Sequence, residues 1–157
     1  PIYMYLYARK YISKHDYSKN GENTLAAEYD NLLSYAPADL GKYSEFGGAA
    51  VSITVAYWRK ANAIHKWFVD NVQSGEDDCH PYDVAVEDLR NLLAVCQTVK
   101  EDPSKIEELL PPCEGFFFGS QEIDQYYWDD IDHTIAAINR ILAMDLKGWD
   151  FEYQSSW

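Results

Sequence analysis

The chain has 157 residues, of which 47% are hydrophobic and 15% aromatic, a composition typical of a folded globular protein and unlike that of a disordered one. Its 26 Asp and Glu against 13 Lys and Arg give a formal net charge of −13, which argues against direct binding to the phosphate backbone of nucleic acids. This length predicts a single domain over residues 1–157.

The cysteines and the hydrophobic runs indicate a cellular compartment. Cys79, Cys96 and Cys113 are widely spaced and odd in number, which predicts free thiols in a reducing environment rather than a disulfide framework. No apolar run reaches the roughly 18 residues of a membrane helix, and no signal-peptide pattern opens the sequence. We therefore expect a cytoplasmic protein without membrane association.

The first predicted element is a strand, because aromatic residues alternate with other residues over 3–11. A polar stretch that ends in Asn20-Gly21 predicts a turn. A short helix that Pro37 ends should follow. Its apolar residues are spaced as on one helix face: Leu25, Tyr29, Leu32, Leu33 and Ala36.

The stretch from Gly47 to Val72 is predicted to be one long helix and the spine of the fold. It has no Pro, and its apolar residues recur every three or four positions. One face of this helix would carry Val51, Val55, Trp58, Asn62, His65 and Val69.

Beyond a polar loop over residues 76–82, Asp83 is predicted to cap a third helix. The buried stripe of that helix would contain Val86, Leu89, Leu92, Leu93, Cys96 and Val99. Asp102-Pro103 predicts the start of a short helix that ends at Leu110.

The last third of the chain is predicted to hold one strand and one helix. Phe116–Phe118 lies between glycines and predicts a strand. Ser120 would cap a final helix over about Gln121–Met144. Its buried stripe would contain Ile123, Tyr127, Ile131, Thr134, Ile138 and Ile141. The tail from Lys147 to Trp157 is expected to be irregular.

Together these elements predict a helix-rich α+β fold. We expect four to five helices packed with a small two-stranded antiparallel sheet. The N-terminal strand and Phe116–Phe118 would form that sheet, since an isolated strand leaves backbone groups unsatisfied.

No catalytic signature is present: the sequence has no phosphate-binding loop, dinucleotide fingerprint, nucleophile elbow or HExxH. Cys79-His80, with Asp77 and Asp78, is one candidate for a metal site or a thiol nucleophile. Metal sites built from Cys normally show close Cys pairs, which this loop lacks. A solvated connection is the alternative, and no cofactor or metal is predicted.

The second candidate is a ligand site on the predicted long helix. Trp58, Asn62 and His65 follow i, i+4, i+7, and Arg59 and Lys66 flank them. An aromatic face, an amide, an imidazole and nearby cations suit an anionic, ring-containing ligand such as a nucleotide. In the alternative interpretation Trp58 is a core residue, Asn62 and His65 are buried polar residues bonded to a loop, and the cations form surface ion pairs.

A third candidate is the segment from Gly115 to Ser120 (GFFFGS) and the helix start that follows it. Backbone N–H groups at a helix N-terminus bind anions, and Phe117, Ser120, Tyr127 and Trp128 would complete a ligand site there. The acidic residues of the first turns oppose an anion, so that structural capping is the alternative. The carboxylates of this region give only a weak signal for Mg²⁺: Asp124, Asp129 and Asp130.

The chain resembles a family of small uncharacterised proteins encoded by bacteriophages and prophages. Two blocks carry the resemblance: Tyr57 to Asn62 (YWRKAN) continuing to Phe68 through Ile64-His65-Lys66, and Gly115 to Ser120 continuing to Tyr126-Tyr127-Trp128. The resemblance covers about Gly47 to Leu142. It implies a phage origin, and with it a role in host takeover or counter-defence in the host cytoplasm, but no particular activity.

Three functions follow as hypotheses. The first is a non-catalytic phage protein that binds a small anionic or nucleotide-like ligand between the long helix and the GFFFGS segment. The second is an acidic inhibitor of a host protein, which mimics nucleic acid through its charge. The third is an enzyme with His65 as general base or Cys79 as nucleophile. Exposed aromatic residues also predict a possible homo-oligomer.

Overall fold

The computed structural model describes residues 2–13, 26–37, 39–40, 47–113 and 123–157. Within these ranges the strands are β1 (Tyr3–Ser13), β2 (Gly48–Arg59), β3 (Tyr82–Val84) and β4 (Asp150–Ser156). The α-helices are α1 (Ala26–Leu33), α2 (Asn62–Asn71), α3 (Val86–Glu101), α4 (Ile106–Leu109) and α5 (Gln125–Leu142), with a 3-10 turn at Pro103–Lys105 before α4. The protein is therefore α+β.

The strands form one four-stranded sheet in the order β2-β1-β4-β3. β3 pairs with β4 in antiparallel fashion, with Asp83 opposite Glu152 and Val84 opposite Phe151. The predicted two-stranded sheet was wrong, because β2 lies in the stretch predicted as helix and β4 in the tail predicted as irregular. The predicted strand Phe116–Phe118 lies outside the described residues.

The prediction of one long helix over Gly47–Val72 was also wrong. The stretch forms β2 and then α2, and Lys60 between them has a φ of 57°, in the left-handed region that ends the extended chain. Residues 51–58 are rich in β-branched and aromatic side chains, which favour a strand. Trp58 therefore lies on a strand and His65 on a helix, so that they do not share one helix face.

The predictions for α3 and α5 were largely correct. Leu89, Leu92, Cys96 and Val99 of α3 are fully buried, and α5 buries the predicted stripe from Tyr127 to Ile141. The helix starts differ. Asp83 belongs to β3, and the Asp88 side chain instead accepts a hydrogen bond from the Ala85 N–H at the start of α3.

Two compact units divide the chain, one of residues 1–8 and 54–157 and the other of residues 9–53. The larger unit contains α2 to α5, β3 and β4. Its core is built by alternate residues of the strands together with the apolar faces of the helices, among them Met4, Leu6, Trp58, Ile64, Phe68, Leu92, Ile131, Ile138, Phe151 and Tyr153. Ile12 and Tyr29 are buried in the smaller unit. In the part of the chain that the structure describes, no helix combines the length and apolar character needed to cross a bilayer.

Candidate functional site

His65 of α2 is a buried polar residue of the larger unit. It is 1% exposed, and both ring nitrogens are engaged. Nε2 lies 2.9 Å from Asp77 Oδ1, and Nδ1 lies 2.7 Å from the Tyr153 hydroxyl of β4. A carboxylate accepts only, so that Nε2–H donates to Asp77 and, in the neutral ring, Nδ1 accepts from Tyr153. These three residues, here called the His65 bridge, join α2 to β4 and to the loop after α2.

Burial keeps the His65 bridge in its neutral-ring form. Burial lowers the pKa of His65, although the Asp77 carboxylate and its hydrogen bond act in the opposite direction. Burial likewise raises the pKa of Tyr153 well above its ordinary value. Tyr153 is fully buried and stacks on Phe68, with ring centroids 3.9 Å apart and planes 8° from parallel. The bridge is therefore held by packing as well as by hydrogen bonds.

Trp58 lies in the core. Its exposed fraction is 2%, its Nε1–H donates to Thr134 Oγ1 at 2.9 Å, and its ring meets Phe68 edge-on. Arg59 follows on the same strand and therefore points to the opposite face of the sheet, where its guanidinium lies 5.8 Å from the centroid of the Tyr3 ring. The expectation that both residues would share a helix face with His65 depended on a helical spacing that does not apply, because β2 ends at Arg59 and α2 begins only at Asn62.

Asn62 and Lys66 do lie beside His65, as α2 places them one turn or less away. Asn62 is buried, and its Nδ2 donates to the Cys113 carbonyl at 2.8 Å. Lys66 is half-exposed and pairs with Asp70 at 2.5 Å, a contact that raises the pKa of Lys66. The structure thus brings together three of the five residues of the second candidate: Asn62, His65 and Lys66.

Of the third candidate, Tyr127 and Trp128 lie among the described residues, and they make other contacts. Tyr127 is buried and donates its hydroxyl hydrogen to the Leu110 carbonyl at 2.8 Å, and Trp128 packs edge-on against it. Phe117 and Ser120 lie outside the described residues, and Asp124 rather than Ser120 caps α5, by accepting from the Tyr127 N–H at 3.2 Å. Tyr127 acts as a core residue because its ring falls on the apolar stripe of α5.

A cavity of about 170 Å³ opens beside the His65 bridge. We call it the His65 pocket, and its walls are Asn62, His65, Lys66, Val69, Asp70, Asp77 and Cys113. A second depression of about 390 Å³ lies between α2, α3 and α4 and shares Lys66 and Asp70 as walls. Small-molecule sites are concave, largely preformed, and carry a few converging polar groups. The His65 pocket is concave and has polar groups on its walls, and it is smaller than the roughly 300–1,000 Å³ usual for drug-sized ligands.

Sequence reasoning missed three residues of this site. Tyr153 is 88 residues from His65 along the chain, and its tail was predicted to be irregular. Asp77 was considered only with Cys79, whereas it faces His65 and also accepts from Trp157 Nε1 at 3.1 Å. Cys113 was considered only as a free thiol. The alternation of Phe151, Tyr153 and Ser155 was a signal that could have identified the strand.

In the loop of the first candidate, Asp77 contacts His65, whereas Asp78 pairs with His80, with Oδ2 3.2 Å from Nδ1. Among the residues that the structure describes, His, Cys, Asp and Glu form no cluster of three or more that could hold a metal ion. Cys79 is half-buried, and its carbonyl accepts from Gln154. No protein-family model, curated protein or solved structure matches the chain.

Proposed function

We propose that this chain is a non-catalytic binding protein that takes a small polar ligand in the His65 pocket. The observation that carries the proposal is a buried histidine, held on both nitrogens, at the wall of a cavity. Burying a polar group costs free energy unless hydrogen bonds satisfy it. A buried and satisfied polar network at the wall of an open cavity is therefore a default candidate for a ligand site.

The hydrogen bonds of His65 support a binding role rather than general-base catalysis. A general base needs a free lone pair within reach of a substrate proton. The Nδ1 lone pair of His65 already accepts from the buried Tyr153 hydroxyl, and Nε2 carries a proton towards Asp77. His65 therefore acts by positioning the pocket wall.

The charges of the pocket define the chemistry of the ligand. Lys66 is its described cation, and Asp70 and Asp77 are its described carboxylates. An anionic group of the ligand, as in the nucleotide-like molecule that the sequence predicts, would bind Lys66. The two carboxylates favour a ligand that also carries hydrogen-bond donors or an amine. A small zwitterion combines both, and about 170 Å³ accommodates a molecule of amino-acid size rather than a whole nucleotide.

The phage setting remains part of the proposal. A small binding protein that sequesters a host metabolite would serve host takeover or counter-defence in the host cytoplasm. This setting derives from the resemblance of the two sequence blocks and is independent of the pocket.

Native mass spectrometry of the protein purified from a bacterial host tests the proposal. We expect the native protein to have a mass above that of the bare chain. On denaturation the mass should return to that of the chain, and a small molecule should be released. The same spectrum reports the oligomeric state. A bare mass, together with no thermal stabilisation by amino acids or nucleotides, would contradict the proposal.

Lys66→Gln and Lys100→Gln form a matched pair for this test. Both lysines are half-exposed and pair with an aspartate, Lys66 with Asp70 in the pocket wall and Lys100 with Asp132 on α3 and α5. We expect Lys66→Gln to lose the bound molecule and Lys100→Gln to retain it. Equal retention by both variants would place the ligand elsewhere.

A second candidate function is the acidic inhibitor, and the distribution of charge favours it. The larger unit has twenty Asp and Glu against eight Lys and Arg, a formal net charge of −12 out of the −13 of the chain. A field of one sign steers a basic partner to the surface and is screened by salt. We expect basic host proteins to bind the immobilised chain at low salt and to elute as salt is raised. If the proteins captured at low salt are no more basic than the lysate, this candidate fails.

A further inference from the structure

The outward face of the sheet in the larger unit carries a group of tyrosines. Tyr3, Tyr5 and Tyr7 of β1 are half-buried and alternate with the fully buried Met4 and Leu6. We call these three residues and Tyr57 of β2 the tyrosine face.

The rings of the tyrosine face contact one another. The Tyr5 and Tyr7 rings lie nearly parallel with centroids 5.9 Å apart. Tyr57, which is 42% exposed, lies 6.4 Å from Tyr3 and 5.4 Å from Tyr5. The side chains therefore form one continuous aromatic surface rather than four separate rings.

Carboxylates border the tyrosine face on the side of β4 and β3. The charge of Glu152 acts on Tyr7, whose pKa is raised first by partial burial and then by Tyr5 and Glu152. Asp83 is exposed and lies opposite Glu152 in the β3–β4 register, so that both carboxylates belong to the outward face. Glu152 thus lies on the strand next to the rings, and Asp83 lies one strand further along the same face.

Arg59 of β2 already provides a cation that contacts these rings. The Arg59 guanidinium lies over the Tyr3 ring, with Cζ 5.8 Å from the ring centroid, within the range of a cation–π contact. Guanidinium groups stack on aromatic rings and pair with carboxylates through the same planar fork. Tyr5, Tyr7 and Tyr57 offer rings to a further guanidinium, while Glu152 near Tyr7 and Asp83 on β3 offer carboxylates.

We propose that the tyrosine face, with Asp83 and Glu152, is a docking surface for an arginine-rich segment of a partner protein. This inference deepens the second candidate function and rests on it, and it is independent of the His65 pocket. The −12 charge of the larger unit attracts such a segment over a distance, and the rings and two carboxylates bind its guanidinium groups on contact. The same charge repels the phosphates of a nucleic acid and a second copy of the chain.

The test measures binding of a labelled peptide of alternating arginine and glycine to the full chain by fluorescence anisotropy. Matched peptides with lysine or glutamate in place of arginine show which chemistry is recognised. We expect the arginine peptide to bind best, because lysine lacks the planar group, and the glutamate peptide not to bind. Tyr7→Leu and Tyr57→Leu should each weaken arginine-peptide binding by roughly two- to fivefold, the range of an exposed cation–π contact.

The carboxylates provide a test that leaves the rings in place. Asp83→Asn with Glu152→Gln should weaken binding and flatten its dependence on salt. Glu101→Gln with Glu107→Gln removes the same charge from exposed positions of α3 and α4 and serves as the control. Beyond a Debye length of about 10 Å these charges are screened, so that the control should change affinity less than about twofold. Circular dichroism verifies that each variant is folded.

Each contrary result overturns the inference in a recognisable way. Binding that the tyrosine variants leave unchanged would show that the rings are not the site. Displacement of the peptide by a single-stranded oligonucleotide, or a dimer that Tyr57→Leu converts to a monomer, would show that nucleic acid or a second copy occupies the face. If basic host proteins bind wild type and tyrosine variants equally, this inference fails and the second candidate stands. If none binds, both fail.

Discussion

Tyr153→Phe tests the His65 bridge with the smallest possible change. The substitution removes one hydroxyl from a fully buried ring and retains the ring that stacks on Phe68. What disappears is the 2.7 Å hydrogen bond to His65 Nδ1. That nitrogen then lies in a 1% exposed side chain without the hydroxyl that donated to it.

The expected cost has two parts. A net hydrogen bond contributes about 1 kcal/mol, and a buried acceptor left unpaired costs about 1–3 kcal/mol, of which relaxation of the site recovers a share. We therefore expect Tyr153→Phe to lower the free energy of unfolding by about 2 kcal/mol. For a domain of this size each kcal/mol corresponds to roughly 2–4 °C in Tm, so that the expected decrease is about 4–8 °C.

A double-mutant cycle with Asp77→Asn separates the bridge from the two single contacts. The Asn carbonyl still accepts from Nε2–H, and the side chain of Asp77 is 35% exposed, so that this change alone should cost less than about 1 kcal/mol. Because both residues act on one imidazole, the two changes should couple by about 0.5–1 kcal/mol in urea denaturation.

Two results would refute this account of the bridge. A decrease below about 0.5 kcal/mol for Tyr153→Phe would mean that the hydroxyl contributes no more than a surface contact. Additive effects of Tyr153→Phe and Asp77→Asn would mean that His65 does not join them.

Three further changes test the charges and the core. Burial, followed by the charges of Asp129 and Asp124, raises the pKa of Asp130 from 3.8 to about 7, so that ionisation of Asp130 opposes folding as the pH rises. After allowance for screening by solvent, we expect Asp130→Asn to add about 1–2 kcal/mol to the free energy of unfolding at pH 8 and almost none at pH 4, as measured by thermal unfolding. Because the pKa of His65 is lowered in the folded protein, the unfolded chain binds the proton at a higher pH, and the free energy of unfolding should fall as the pH drops below about 6.5. His65→Gln should flatten that decrease, and a pH profile that the substitution leaves unchanged would contradict this prediction. Trp58→Phe should lower the free energy of unfolding by about 2–3 kcal/mol, because it leaves a cavity and removes the hydrogen bond to Thr134. It should not change ligand binding in the His65 pocket, and weaker binding at unchanged stability would mean that Trp58 belongs to the ligand site.

The helices that pack against the sheet could be predicted from sequence because their signal is local. The stripe from Leu89 to Val99 repeats with a helical period and has only one structural interpretation. Asp102-Pro103 predicted the next helix start, and the Asp102 side chain does accept from the Ser104 N–H. In both places residues close in sequence determine the local structure.

The stretch around Trp58 could not be resolved in this way, because two periods fit the same residues. Trp58, Asn62 and His65 have helical spacing across a boundary that is set at Lys60 by a left-handed backbone conformation. Nothing in a lysine codes for that conformation, which glycine or asparagine adopts more readily. The strand propensity of residues 51–58 was the better guide.

The candidate site was predicted in part for a related reason. Asn62, His65 and Lys66 were identified, since they are neighbours on one helix. Their partners Asp77, Cys113 and Tyr153 come from three other segments, and only the fold brings these together. The alternative in which Asn62 and His65 are buried polar residues bonded to a loop describes their contacts with Cys113 and Asp77 but not the contact of His65 with Tyr153 on β4. Their role in ligand binding stays a prediction.

The position of β4 between β1 and β3 has a consequence for synthesis of the protein. β1 ends at Ser13 and β4 begins at Asp150, so that the ribosome makes nearly the whole chain before the two can pair. At translation rates of roughly 5–20 residues per second this interval is on the order of ten seconds. Until β4 is made, β1 lacks its partner on one edge and β3 lacks the strand with which it pairs, and unpaired backbone groups attract other strands. We expect the yield of native protein to depend on chaperones and on expression temperature even where the finished fold is stable.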